Sequence, residues 1–262
     1  MQRMKAITKR EFQSYFKSPI GYIVLALFML ITSFIFVSDL QYKYADVGTI
    51  LLSVQSILFM IVIPMITMRS FSEERKNGSE VLLLTSPASV FEIVMGKYLA
   101  SLFVLLIMTS TSLVFVLFTL AFGGTLDAKV VGAYIGFICI GAAYLSIGLF
   151  ASSLTENQVI SAIITFATIF VFMIIDGIAS IMGSVASTFV SKINFFGLTD
   201  LQIDGVSKAV TAFLQWPNPS ARLNNFSRGI FEIGPLLFFV SLIAVFLFLT
   251  IRVIEKRRWT QK

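Results

Sequence analysis

Ile20-Gly-Tyr-Ile-Val-Leu-Ala-Leu-Phe-Met-Leu-Ile-Thr-Ser-Phe-Ile-Phe-Val-Ser38 contains no charged residue. A helix of that length rises about 1.5 Å per residue and nearly crosses a hydrocarbon core of about 30 Å. Five more charge-poor intervals follow: Gly48–Met68, Val94–Phe122, Val130–Ser153, Gln158–Gly183 and Leu236–Ile251. The chain of 262 residues is 57% hydrophobic and 13% charged, too oily for a soluble fold, so the bilayer is its solvent. The expectation is an all-α integral membrane protein with six transmembrane helices.

The basic residues orient those spans. Arg3, Lys5, Lys9, Arg10 and Lys17 precede the first span. Arg69, Arg75, Lys76 and Lys97 are assigned to the connection between spans two and three. Arg252, Lys256, Arg257, Arg258 and Lys262 end the chain. These fourteen of 20 basic residues share one side, which the positive-inside rule makes cytoplasmic, with both termini. No cleavable signal peptide is expected, because the chain is polar up to Pro19 and no Ala-x-Ala site follows the first span.

Several chemistries are excluded. Without histidine there is no Ser/His or Cys/His nucleophile, and the commonest metal ligand is missing. Cys139 is the only cysteine, so no intrachain disulfide or thiolate metal site can form. No G-x-x-x-x-G-K-[ST] phosphate loop exists; Gly96-Lys97 is followed by Tyr98 and lacks the upstream glycine. An ion-coupled carrier usually places several ionisable groups in its spans, whereas Asp176 is the one candidate here. The net charge of +6 flanks apolar spans and does not call for nucleic acid. The hydroxyl patch Thr109-Ser-Thr-Ser112 reads as interhelical hydrogen bonding.

Three amphipathic segments lie outside the spans. Met4–Lys17 gathers Met4, Ile7, Phe12, Tyr15 and Phe16 largely on one face, and Pro19 ends it, as expected of a helix in the headgroup layer. The stretch from Phe71 through Ser-Glu-Glu-Arg-Lys-Asn-Gly-Ser-Glu to Val81-Leu-Leu-Leu-Thr-Ser-Pro87 is the longest charge-dense island. Spanning a bilayer does not require it; being gripped by a soluble partner does. The third is the loop between spans five and six, where Leu198–Leu214 and Pro219–Ile233 each read as a short helix. Pro219 suits a first helical position, and Leu223, Phe226, Ile230 and Ile233 recur at helical spacing.

Several ordered motifs carry a resemblance. They are Lys9-Arg10-Glu11-Phe12 with Tyr15-Phe16-x-Ser18-Pro19-Ile20-x-Tyr22-Ile23; the island with Glu92-Ile93-Val94-x-Gly96-Lys97; Asn225-Phe226-Ser227-Arg228-Gly229-Ile230; and Glu255-Lys256-Arg257-Arg258-Trp259. Over nearly the whole chain this resembles the ABC-2 type permease family, most closely its gliding-motility-associated (GldF-like) branch. The resemblance implies one transmembrane domain over residues 1–262. Within it, 1–19 is an interfacial connecting helix, 20–183 spans one to five, 184–235 outer re-entrant helices, and 236–262 span six with a basic tail. It assigns a cytoplasmic coupling helix to Glu73, Glu74, Arg75, Gly78, Ser79, Glu80, Leu82, Leu83, Leu84 and Pro87. The connecting helix takes Arg10, Glu11, Tyr15, Phe16 and Pro19, and an outer gate takes Trp216, Pro219, Phe226, Arg228, Ile230 and Glu232.

The implied function is that of the permease subunit of an exporter in a bacterial plasma membrane. It would work with two copies of a separate cytoplasmic ATPase that carries ATP and Mg, this chain holding no cofactor. A second permease copy or a paralogue completes the pair, and membrane lipid and an extracytoplasmic auxiliary subunit are further expected partners. Charge-poor spans suit an amphiphilic or lipid-linked substrate. The alternative is an ATP-driven scaffold that passes force to an envelope or gliding machine without transport.

Overall fold

The computed structural model describes residues 2–41, 47–80, 88–123, 125, 127–193, 200–216, 218–223, 226, 229 and 232–260. Among these the chain is helical, without strands. The helices are α1 (Gln2–Lys17), α2 (Pro19–Gln41), α3 (Val47–Thr67), α4 (Ser72–Lys76), α5 (Val90–Thr111) and α6 (Leu113–Ala121). They continue with α7 (Ala128–Leu154), α8 (Gln158–Ile193), α9 (Asp200–Gln215) and α10 (Ile233–Thr260). Six of these segments are long and apolar enough to cross a membrane: Pro19–Leu40, Val47–Lys76, Val90–Ala121, Ala128–Leu154, Gln158–Ile175 and Ile233–Arg258. The chain is a multi-pass membrane protein.

Helix α7 is the hub. It packs against α3, α5, α8 and α10, and it is the most buried of the six candidate spans. Its glycines explain how so many neighbours approach. A Cβ at Gly148 would collide with the Thr67 side chain. One at Gly141 would lie 2.8 Å from Leu105 Cδ2 and 3.0 Å from Phe59 Cζ. One at Gly132 would strike the Phe226 backbone carbonyl. Lipid supplies no hydrophobic drive between spans, so such close approach and its dispersion contacts hold them together. Gly132→Ala is therefore expected to cost about 1–3 kcal/mol, because a backbone oxygen cannot rotate out of the way. Unfolding in mixed SDS micelles checks this, with Gly177→Ala, where a Cβ meets open space, as the unchanged control.

Ser112 separates α5 from α6 inside the third span. Its hydroxyl lies 2.9 Å from Tyr134 Oη on α7, a cross-helix bond made by the hydroxyl patch. Thr109, Ser110 and Thr111 instead bond carbonyls of their own helix.

Two expectations for the outer region are corrected. The helix of span five does not end at Gly183: the candidate span is Gln158–Ile175, and α8 runs on to Ile193 with α9 packed along it. Gly183 is a contact point rather than an end, since a Cβ there would meet Thr211 and Ser207 of α9. The second correction concerns Pro219–Ile233, whose described residues do not form one continuous α-helix. They include a 3-10 turn, Ser220–Leu223, started by the Asn218 side chain accepting from Ser220 N at 3.0 Å. Gly229 then takes φ +77°, a left-handed conformation no continuous α-helix contains. Ile233 opens α10, and Pro235 sits in its first turn, where its missing N–H costs nothing. The side chain of Asp176, on α8, lies outside the described ones.

Candidate functional site: the charged end

Both termini, α4 and the loop after α7 meet at one end of the bundle. Ion pairs make the connection, and each begins with a residue of, or beside, the charged island. Glu74 on α4 bonds Arg10 of α1 at 3.0 Å and pairs with Lys97 of α5 at 3.0 Å. Arg75 pairs with Glu156 of the α7–α8 loop at 3.3 Å and with Glu80 at 3.6 Å. Glu80 in turn reaches Arg257 of α10 at 3.6 Å. Glu73 is held by Arg69 through two parallel bonds of 2.6 Å, the fork-to-carboxylate geometry that fixes orientation as well as charge.

Lys97 organises the centre. Its side chain is 1% exposed, and three oxygens surround Nζ: Ser70 O at 2.6 Å, Glu74 Oε2 at 3.0 Å and Glu11 Oε2 at 3.3 Å. The Ser70 contact is a hydrogen bond, and the two carboxylates pair with the ammonium by charge. The Phe71 ring adds a cation–π contact at 5.2 Å. Arg10 closes the square, reaching Glu11 at 2.7 Å as well as Glu74. Two cations and two carboxylates thus neutralise one another. Burial alone would raise the Glu11 carboxyl, but Lys97 and Arg10 outweigh it and hold it below the usual carboxylate range. A water-accessible cleft of about 690 Å³ between α1, α4 and α5 borders the square, lined by Arg3, Arg10, Glu11, Arg69, Glu73 and Glu74 among others.

The start of α4 is capped from a distance. Phe71, at the cap position, offers no side-chain bond. Ser152, near the end of α7, supplies it. Its hydroxyl accepts from Phe71 N at 3.1 Å and from Ser72 N at 3.2 Å, while its carbonyl accepts from Ser72 Oγ at 3.1 Å. These groups are buried, so the bonds replace water that cannot enter. On the α1 side, Tyr15 Oη donates to Ile66 O at 3.0 Å. Burial pushes this phenol up to about 12, so it stays a donor at any ordinary pH.

The residues of the island divide into an anchored part and a free tip. Glu73, Glu74, Arg75 and Glu80 are each ion-paired within the chain. Lys76, Asn77 and Gly78 are exposed, and Gly78 turns the chain with φ +70°. Ser79 folds back, its hydroxyl donating to Glu74 O at 3.2 Å. Leu82, Leu83, Leu84 and Pro87 lie outside the described residues. The connecting helix packs its apolar face on α5, with Ile7 against Gly96 and Phe12 edge-on to Phe103. Phe16 meets Tyr22 across the α1–α2 corner, and Pro19 opens α2. Lys97 is the functional residue that sequence reasoning missed. A basic residue near the end of an apolar run reads as a flank charge, yet it lies about two turns inside α5.

At the opposite end the proposed gate residues disperse. Trp216 is exposed, with its carbonyl accepting from Arg222, whose guanidinium lies 4.9 Å from the Phe238 ring centroid. Pro219 is buried in the turn, and Phe226 is 1% exposed, seated in the bundle by Gly132 rather than facing lipid or water. Glu232 immediately precedes α10, while Arg228 and Ile230 lie outside the described residues.

A family model described as ABC-2 family transporter protein matches residues 5–259, which takes in α1, the charged island and every candidate span. No curated protein matches the chain.

Proposed function

Because the chain belongs to the ABC-2 family of transporter proteins, we propose that it is the membrane subunit of an ATP-binding cassette transporter, driven through α4 by a separate ATPase. One observation carries this reading. The short α4 segment is tied to α1, α5, α7 and α10 at once, while its tip, Lys76-Asn77-Gly78, is free. A five-residue helix so connected acts as a lever: a load on the tip reaches two spans through Lys97 and Ser152 and reaches both terminal helices through Arg10 and Arg257. Leu82, Leu83 and Leu84 would fill an apolar groove on the ATPase, with Lys76 at its rim. ATP and Mg would belong to that partner, two copies of which would serve a pair of permeases.

The charged end would face the cytoplasm, since fourteen of the 20 basic residues were assigned there and ion pairs unite α1, α4 and α10. The few ionisable groups in the spans favour an amphiphilic or lipid-linked cargo moved outward. The α8–α9 hairpin, with Ile181, Val185, Phe213 and Trp216 exposed, is the candidate outer gate. Phe226 is its anchor rather than its moving part. The order of motifs supports the gliding-motility-associated branch; motility itself does not follow from it.

Glu74 is a poor probe of the partner surface because it is bound internally. The test is therefore Lys76→Glu combined with Leu83→Asp, in permease co-reconstituted with its ATPase. The double variant should insert normally and lose stimulation of ATP hydrolysis by at least tenfold. Unchanged stimulation would place the grip elsewhere.

A further inference from the structure

We propose that the outer groove between α1 and α5 is a binding site for an anionic phospholipid, its acyl chain along α5 and its phosphate on Lys5 and Lys9. The groove has a volume of about 480 Å³ and is separate from the charged cleft on the other side of α1. Its floor is apolar: Met4 and Phe12 of α1, and Leu99, Phe103 and Ile107 of α5. Phe103 is 48% exposed although it sits in a candidate span, so this floor is left open by the rest of the chain at a depth where hydrocarbon can reach it. Leu99, Phe103 and Ile107 recur every four residues and so form one stripe. That stripe is about 12 Å long, most of one leaflet's share of a core about 30 Å thick.

The basic residues define the other half of the site. Lys5 and Lys9 are one turn apart on α1, and both line the groove. Both are exposed, and neither is in an ion pair with a described residue, unlike neighbouring Arg10, which the square of charges consumes. A lysine ammonium on a four-carbon stem can lie over an apolar groove and present its charge at the headgroup level. Two such charges above a one-chain groove match an anionic headgroup followed by an acyl tail. A zwitterionic lipid would fill the stripe equally well, but its headgroup brings no net charge to offset the two ammonium groups. A bound lipid would then cement α1 to α5 on the face opposite the Lys97 square. Because the site uses only this chain and its bilayer, it stands whether or not α4 grips an ATPase.

The test places one tryptophan in the groove. Phe103→Trp, with Trp216→Phe and Trp259→Phe, is reconstituted in nanodiscs of phosphatidylcholine and phosphatidylglycerol. One or the other lipid carries bromine on its acyl chains, and quenching gives their relative affinity. Near an anionic surface each lysine contributes about fivefold at low salt, so phosphatidylglycerol should be preferred at least fivefold. Lys5→Gln with Lys9→Gln should bring the ratio near one, while Lys17→Gln, on the same helix outside the groove, should leave it unchanged. Equal quenching by the two lipids with the lysines intact overturns the proposal. So does an equal loss with Lys17→Gln, which would mean diffuse surface charge. Absence of quenching by either lipid, in protein of native helicity, overturns it as well, because a protein surface would then cover the groove.

Discussion

Lys97→Met should destabilise the protein by about 3–5 kcal/mol, the scale for removing one partner of a buried ion pair. The substitution fills the same volume, so packing is not the cause. It leaves Glu11 and Glu74 facing each other with Arg10 alone to compensate, and it strips Ser70 O of its 2.6 Å donor. Against a total stability of about 5–15 kcal/mol, that loss should also lower the amount of folded protein in the membrane. Unfolding in mixed SDS micelles measures it. Adding Glu11→Gln and Glu74→Gln should restore much of the loss, because the charges that lacked a partner are gone. A cost below about 1 kcal/mol for Lys97→Met would mean that water from the neighbouring cleft already solvates these groups.

Ser152→Ala should unfasten α4 from the bundle. Two buried backbone N–H groups, of Phe71 and Ser72, would face a methyl group in place of the hydroxyl. Each unsatisfied buried donor costs about 1–3 kcal/mol, so the local penalty is about 2–5 kcal/mol. That exceeds what a five-residue helix can hold by itself. Hydrogen exchange of the residue 71–76 amides should accelerate by at least tenfold while the spans keep their protection. Ser153→Ala is the matched control, since its hydroxyl only back-bonds Phe150 O at 2.7 Å and that carbonyl belongs to α7 itself. Equal exchange in the two variants would remove Ser152 from the connection.

The six spans were readable because each is a long run of apolar residues, and length against bilayer thickness is a one-dimensional property. The charged end was readable as a place but not as an arrangement. Glu74, Lys97 and Arg10 are far apart in sequence, and nothing in their spacing says that they meet and form an internal fastening. Ser152 carried no signal at all, because a serine at the end of an apolar helix has many uses. The outer loop failed for a different reason. Leu223, Phe226, Ile230 and Ile233 keep helical spacing, yet Gly229 turns left-handed and Phe226 docks by Gly132, so a tertiary contact overrides the local period. Gly183 misled in the same way, being a place for α9 to approach and not a helix end.

The proposed function puts α4 at the cytoplasmic contact for an ATPase and the α8–α9 hairpin at the other side of the membrane. Two cysteines test it, introduced singly by Asn77→Cys and Gly205→Cys in a Cys139→Ala background. Both positions have room: Asn77 is exposed, and a Cβ at Gly205 meets open space. In right-side-out vesicles, a membrane-impermeant thiol reagent should label position 205 and leave 77 untouched. After permeabilisation 77 should react, and binding of the ATPase should protect it again. Labelling of 77 from outside, with 205 protected, would contradict the account.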